Sequence, residues 1–498
     1  MPDICDLTAV ELTRRIRDKS LSPVEILDSC LARIARVNPA VNAVITLDET
    51  AARKAAREAE AKVMRGEELP ALHGLPIANK ETEDTAGLRT TYGSPMFRDH
   101  VPTADVGPVA RLRAAGAVIV GKTNTPEWAA GANSRNPVNG ITANPFDLTK
   151  SAAGSSGGSG VALATGMVPL ASGSDTGGSL RNPAAFNGIV GLRPSYGLVP
   201  NEKRGQGWSS ISTNGPMARD VADTALMLSV MASDDARDPL AYTLPGEPVR
   251  GVPSRFFPCA PEALKGLRVA ITEDFGFAPT ERHIRRVFRS RAAAVAPLFA
   301  VAEEATPDCT GADDSFAVLR AAMFLSMHEG NYKNRPEMLG PLVRANVEEG
   351  LGYTLSDYAR AASTQTKIYR AWQQFFTKHD IIIAPAITLS PRPWAESYPA
   401  EIDGEPTRSY FHWLAMAYAP TLAGHPAISL SMGLDELGMP FGFQIIGPRG
   451  ADALLLRVAA AIEAAFAHDP ALRRPRPDLD ALAAARPIAE VPGFYDWG

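Results

Sequence analysis

The chain has 498 residues, of which 45% are hydrophobic and 21% charged, and a net charge of −5; this is the composition of a globular protein long enough to bury a large core. No long basic run is present, so non-specific nucleic-acid binding lacks an electrostatic footprint. No stretch approaches about 18 uninterrupted apolar residues, and the first residues lack a basic region followed by an apolar one, so the expectation is a cytoplasmic protein with no membrane partner. Cys5, Cys30, Cys259 and Cys309 are scattered and form no CxxC pair, which predicts free thiols, no metal and no cofactor.

Residues 7–37 read as two helices. Thr8 with Glu11 has the pattern of a capping box, and Ser22, Pro23 and Glu25 open the second helix in the same way. Leu27, Leu31, Ile34 and Val37 give it an apolar stripe at helical spacing. Residues 49–66, rich in Ala, Glu, Lys and Arg, read as an exposed helix. LHGLPIANK (72–80) is a turn and a short strand ending at Lys80. Residues 106–121 read as helix, glycine stop and buried strand. The alternation continues with helices near 157–165 and 219–232 and strands near 168–174 and 267–271. Residues 234–262, rich in Pro and Asp, suggest a long surface connection, and 313–379 are helical in pattern. Strands at 380–385, 426–432 and 440–447 return the chain to the sheet, and an amphipathic helix at 451–467 follows. The sum is a layered α/β architecture. It reads as a single domain with an N-terminal helical region over about 1–66, a core over about 70–232 and a helical pocket region over about 313–379.

Within this order stand two glycine-framed serine clusters, GSSGGSG (154–160) and DTGGSLR (175–181). Gly/Ser-rich segments are commonly linkers, but the apolar VALATGMVPLAS (161–172) runs between these two, and linkers do not alternate with core segments over so short a distance. Glycines beside a serine let the backbone approach a bound group and donate N–H bonds to it. Ser155 and Ser179 with Lys80 upstream therefore suggest nucleophilic catalysis without histidine. A serine hydroxyl needs a base. No histidine lies in the block, and His425 in GHPA reads as a turn residue. SxxK, HExxH and Walker patterns are missing there. A lysine base must be neutral, which requires a shift of about 3 units, or roughly 4 kcal/mol, of the size burial supplies. Local sequence alone reads equally as a buried base or as a solvated lysine at a strand end.

The set KETEDTAG (80–87), GKTNTPEW (121–128), the two serine clusters, GIVGLRPSYGLVP (188–200), GPMARDVAD (215–223) and GHPAISL (424–430) resembles the amidase signature hydrolases. The likeness spans nearly the whole chain and is weakest over about 240–380. It implies the amidase signature fold, a large mixed β-sheet covered by helices on both faces. It implies a Ser–cis-Ser–Lys triad with Ser179 as nucleophile, Ser155 as proton relay and Lys80 as base. It places the oxyanion hole on the backbone N–H groups of Thr176, Gly177, Gly178 and Ser179. Asp175 and Arg181 are expected to brace the nucleophile loop, with Ser156 as a hydrogen-bond support. PEWAAGAN (126–133) corresponds to a pocket wall, so Trp128, Ala129 and Asn133 are expected to meet substrate, with core packing the competing role for Trp128. Ala129, Ala130 and Ala132 suggest room for a bulky acyl or aryl group. Two positions depart from the family pattern: Glu81 stands where Asp is usual, and Ala153 precedes Gly154 in place of Gly.

The expected activity is hydrolysis of a small or medium, partly apolar amide, an aryl acylamide, oligoamide or carbamate, with ester cleavage alongside. The expected state is a monomer or homodimer. Two alternatives stay open. One is the glutaminase subunit of a tRNA-dependent amidotransferase, from which VPNEKRGQGWSSISTNGP (199–216) differs. The other is a non-catalytic binding protein on the same scaffold. Pocket walls are expected from 126–133, 205–212 and 313–415.

Overall fold

A computed structural model describes residues 3–241 and 253–496; part of the expected surface connection at 234–262 lies outside these. The first two helices are Ala9–Arg17 and Pro23–Val41. Ser22 completes its capping box with Glu25, whereas Thr8 makes only half of one: its hydroxyl accepts from Glu11 N, and the Glu11 carboxylate turns to Arg14 and Arg15.

Eleven strands form one mixed sheet. Across it they run Val44–Leu47, Val118–Thr123, Pro76–Lys80, Leu170–Asp175, Thr213–Ala218, Val190–Arg193, Ala427–Leu434, Pro440–Ile446, Ile381–Pro385, Arg268–Ile271 and Val301–Glu304. Pro76–Lys80 pairs in parallel with both of its neighbours, while the central strands pair antiparallel. The strand period of two sorts the apolar side chains into two layers. Ile77, Ile119 and Leu170 join one buried cluster, and their neighbours Ala78, Val118, Val120 and Ala171 join another. Helix Gly157–Ala164 packs into the second layer, and Val221–Met231 and Asp452–Phe466 into the first. The sheet is thus covered on both faces.

The register brings three chain-distant strand ends to one edge. Ala78 lies opposite Ala171, Asp175 opposite Thr213, and Arg193 ends the next strand with its Nη1 2.5 Å from the Asp175 carbonyl oxygen. Above this edge sits helix Ala312–Asn334, packed against Pro341–Gly352 and Leu355–Phe375. Two small ribbons, Arg135–Asn136 with Gly140–Ile141 and Ala143–Asn144 with Asp147–Ser151, deliver the chain to the first serine cluster.

Candidate active site

Lys80 closes its strand with no exposed surface. Its Nζ lies 2.6 Å from Ser155 Oγ and 2.9 Å from Ser174 Oγ. Burial pulls its pKa down to about 7, against the opposing pull of Glu83 and Asp175. At its ordinary value such an amine would be neutral in roughly one molecule in 2,500 at pH 7; here the neutral form is abundant.

Ser155 follows a cis peptide bond from Gly154. That loop is held tightly: a Cβ on Gly154 would stand 2.8 Å from the Ala132 carbonyl carbon and 2.9 Å from Asn133 N. Ser134 ties both sides of it, its hydroxyl donating to Ala153 O and accepting from Gly157 N. Ser156 N donates to Ser179 O at 3.3 Å, and Ser156 Oγ lies 3.4 Å from Ser174 N. The two serine clusters are therefore joined through Ser156, and Ser155 and Ser179 line the same cavity.

Ser179 sits in the turn between strand Leu170–Asp175 and helix Arg181–Asn187. Asp175 organises this turn. Its carboxylate accepts from Gly178 N, Leu180 N, Arg181 Nε and Nη2, and Arg193 Nη1. Burial would raise its pKa, but Arg181 and Arg193 outweigh that and hold it well below the carboxylate range. One expectation changes here. The Gly178 N–H is committed to Asp175 Oδ1 at 3.0 Å and Gly178 does not line the cavity. Thr176, Gly177 and Ser179 do line it, and their N–H groups have no acceptor among the described residues. Gly178 is needed for shape instead: its φ is +100°, and a Cβ would lie 2.4 Å from that of Ala417.

The cavity holds about 390 Å³. One wall is apolar, built by Phe316, Met323, Phe324 and Met327 of one helix with Phe411 and Leu414. Beside them is Trp128, with φ of +51° and its ring stacked on Tyr92 at 4.6 Å. Ala129 and Gly131 continue this wall. Gly205, Gln206, Ser209 and Ser212 supply a polar side. All three expected wall segments meet here, but not every expected residue. Asn133 is a correction: its Nδ2 donates to Trp394 O and Glu396 O, both at 2.9 Å, and its Oδ1 accepts from Ser151, so it braces a loop away from the cavity. Ala130 and Ala132 are core residues, packed among buried side chains, and do not line the cavity.

Glu81 turns away from Lys80 to the loop at Thr91. Its Oε1 accepts from Thr91 N and Oγ1 at 2.6 Å, and the acids that act on Lys80 are Glu83 and, less strongly, Asp175. Buried Glu83 accepts from Asn214 Nδ2 at 2.7 Å and from Ser172, whose hydroxyl in turn accepts from Lys80 N. Ser174, Ser172 and Glu83 were not singled out from sequence. Ser172 and Ser174 lie two apart on a strand, hence on one face, the face toward Lys80; that periodicity was the available signal. No histidine lines the cavity among the described residues. His328 packs on Trp128 behind the wall, and burial lowers its pKa to about 4; His425 is buried against Trp372, its pKa lowered to about 3. All four cysteines are free thiols.

A model of the Amidase family matches residues 25–456. The chain is 32% identical to an acylamidase of Rhodococcus erythropolis over 92% of its own length and 95% of the relative's. It is 36% identical to a glutamyl-tRNA(Gln) amidotransferase subunit of Symbiobacterium thermophilum over 93% and 97%. Its fold matches the crystal structure of a bacterial aryl acylamidase of the amidase signature family with a TM-score of 0.84 and 25% identity, covering 97% of this chain and 99% of that one.

Proposed function

The chain belongs to the amidase signature family of amide-hydrolysing enzymes, and from that premise we propose that it hydrolyses a small, partly apolar amide through an acyl-enzyme on Ser179. The observation that carries the proposal is the buried Lys80 amine 2.6 Å from Ser155, in a cavity that Ser179 also lines. Neutral Lys80 draws the proton of Ser155, which draws that of Ser179 as its Oγ attacks the carbonyl carbon. The N–H groups of Thr176, Gly177 and Ser179 receive the developing oxyanion, a contribution of about 3–4 kcal/mol per donor in such sites. Ser155 returns a proton to the leaving amine. Water then releases the acyl group by the same route reversed. No step draws on a cofactor.

The cavity volume falls within the roughly 300–1,000 Å³ range of small-molecule sites. Its aromatic and methionine wall favours an aryl acylamide, with carbamates, oligoamides and activated esters as further candidates. The second reading is the glutaminase component of a tRNA-dependent amidotransferase, favoured by the amidotransferase relatives. A glutamine zwitterion needs a free cation for its carboxylate. The cations lining the cavity, Lys203, Arg204 and Arg320, are already paired with Asp84, Asp238 and Glu349, which supports the first reading. The test is turnover by the purified chain alone on a panel of p-nitroanilides, carbamates, esters and glutamine. Anilide hydrolysis without companions is expected; glutamine hydrolysis only with companion subunits would overturn the first reading.

A further inference from the structure

At the opposite edge of the sheet lies a second concavity, of about 960 Å³, bounded by the end of strand Ala427–Leu434, helix Asp452–Phe466 and residues 467–476. Strand Thr213–Ala218 connects the two regions: Thr213 pairs with Asp175 at the active site, and Arg219 follows the other end. A strand of 6 residues separates them by roughly 20 Å.

Arg219, Arg291, Arg473, Arg474 and Arg476 all line this concavity, and none forms an ion pair within 4.0 Å among the described residues. Arg291 is tied to the backbone, donating to Met432 O and Leu434 O at 3.0 and 2.9 Å, and Arg219 donates to Leu7 O. Arg474 differs. Its Nη1 is shut off from solvent and has no acceptor among the described residues. A buried charged donor without an acceptor is destabilising, and the rest of this guanidinium, on a residue only half-buried, lines the concavity with no ion-pair partner among the described residues.

The backbone presenting these side chains is held at both ends. A Cβ on Gly433, whose φ is +81°, would lie 1.9 Å from Ala471 O, and one on Gly188 would lie 3.0 Å from Pro475 Cγ. Arg473 and Arg474 stand between those two seats. Glu463 on the wall and Asp220 behind it favour the Arg474 charge, but from beyond ion-pair distance. Burial and the neighbouring Asp220 push the Glu463 pKa up to about 8, and Asp223 behind it is pushed up to about 7 for the same reasons.

We propose that this concavity binds a small multivalent anion, a phosphate ester or a polycarboxylate, on Arg473, Arg474 and Arg476. Guanidinium forks match the paired oxygens of either group. The volume suits a small molecule, and the net charge of −5 supplies no wider field for a nucleic acid.

The test is calorimetric titration of the full chain at pH 7 and fixed ionic strength with inorganic pyrophosphate and, separately, citrate. Saturable binding of at least one is expected. It should weaken about tenfold or more in Arg474→Met and in Arg476→Met and stay unchanged in Lys54→Met, on an exposed helix. Arg476 is exposed, so its variant decides the matter even where Arg474→Met fails to fold. Binding of pyrophosphate alone points to a phosphate ester, and binding of both to multivalent anions generally. No saturable heat with either anion, an Arg476→Met variant that binds as well as the parent, or equal weakening by Lys54→Met overturns the proposal.

Discussion

At Lys80, a full positive charge has too little support. Burial works against it, and Glu83 and Asp175 only partly restore it, so the amine titrates at about 7. A base acts in its neutral form, so kcat/KM is expected to rise through about pH 7 and then level; a rise only above about pH 9 would mean that Lys80 keeps its ordinary basicity. Glu83→Gln removes a charge that raises the Lys80 pKa, so the rising limb should move to lower pH, read from the same profile. Lys80→Ala should lower kcat/KM by about 10²–10⁴-fold with circular dichroism unchanged. Ser155→Ala should slow amides more than activated esters, because amides need their leaving group protonated; steady-state rates on matched substrates, equal in loss, would contradict the relay. These residues differed in how readable they were. Ser155 and Ser179 announced themselves through flanking glycines. Glu83 did not, because its partners at positions 172 and 214 come from strands that only the folded register brings near it. Asn133 misled, since a polar side chain on a wall segment can as well turn inward to brace a loop.

Among the elements, the turn from strand Leu170–Asp175 into helix Arg181–Asn187 depends on one carboxylate. Asp175 is fully buried and serves two guanidinium groups and two backbone N–H groups at once. Asp175→Asn would leave Arg181 and Arg193 buried without their counter-charge, a loss of about 3–5 kcal/mol. Thermal melts should show a lowered midpoint, and acylation of Ser179 should slow because the turn no longer aims it. Most of the longer helices and seven sheet strands were legible from period and capping signals, as at Ser22 with Glu25 and at Lys80 closing its strand; the sheet strands Val44–Leu47, Val190–Arg193, Thr213–Ala218 and Val301–Glu304 were not singled out. The ribbons at 135–151 were not. Their strands of two to five residues are too short for a period, and their pairing is set by the loops they carry.

For the molecule as a whole, the sheet gathers Lys80 and both serine clusters at one edge and roofs them with the helix Ala312–Asn334. Burying the lysine has a thermodynamic consequence. Its folded pKa, about 7, lies below the unfolded value of about 10.4, so between these the unfolded chain binds more protons and stability rises with pH. Lys80→Met lacks that dependence. Its thermal midpoint relative to the parent should be highest below pH 7 and lose that advantage, on the order of 4 kcal/mol, toward pH 10. The central claim, a nucleophile at Ser179 driven by neutral Lys80, is tested most directly by fluorophosphonate labelling followed by peptide mapping across pH. A single adduct on Ser179, lost in Ser179→Ala and forming faster as pH rises through about 7, is the predicted result. An adduct on another residue, or a rate on Ser179 indifferent to pH over that range, would contradict it.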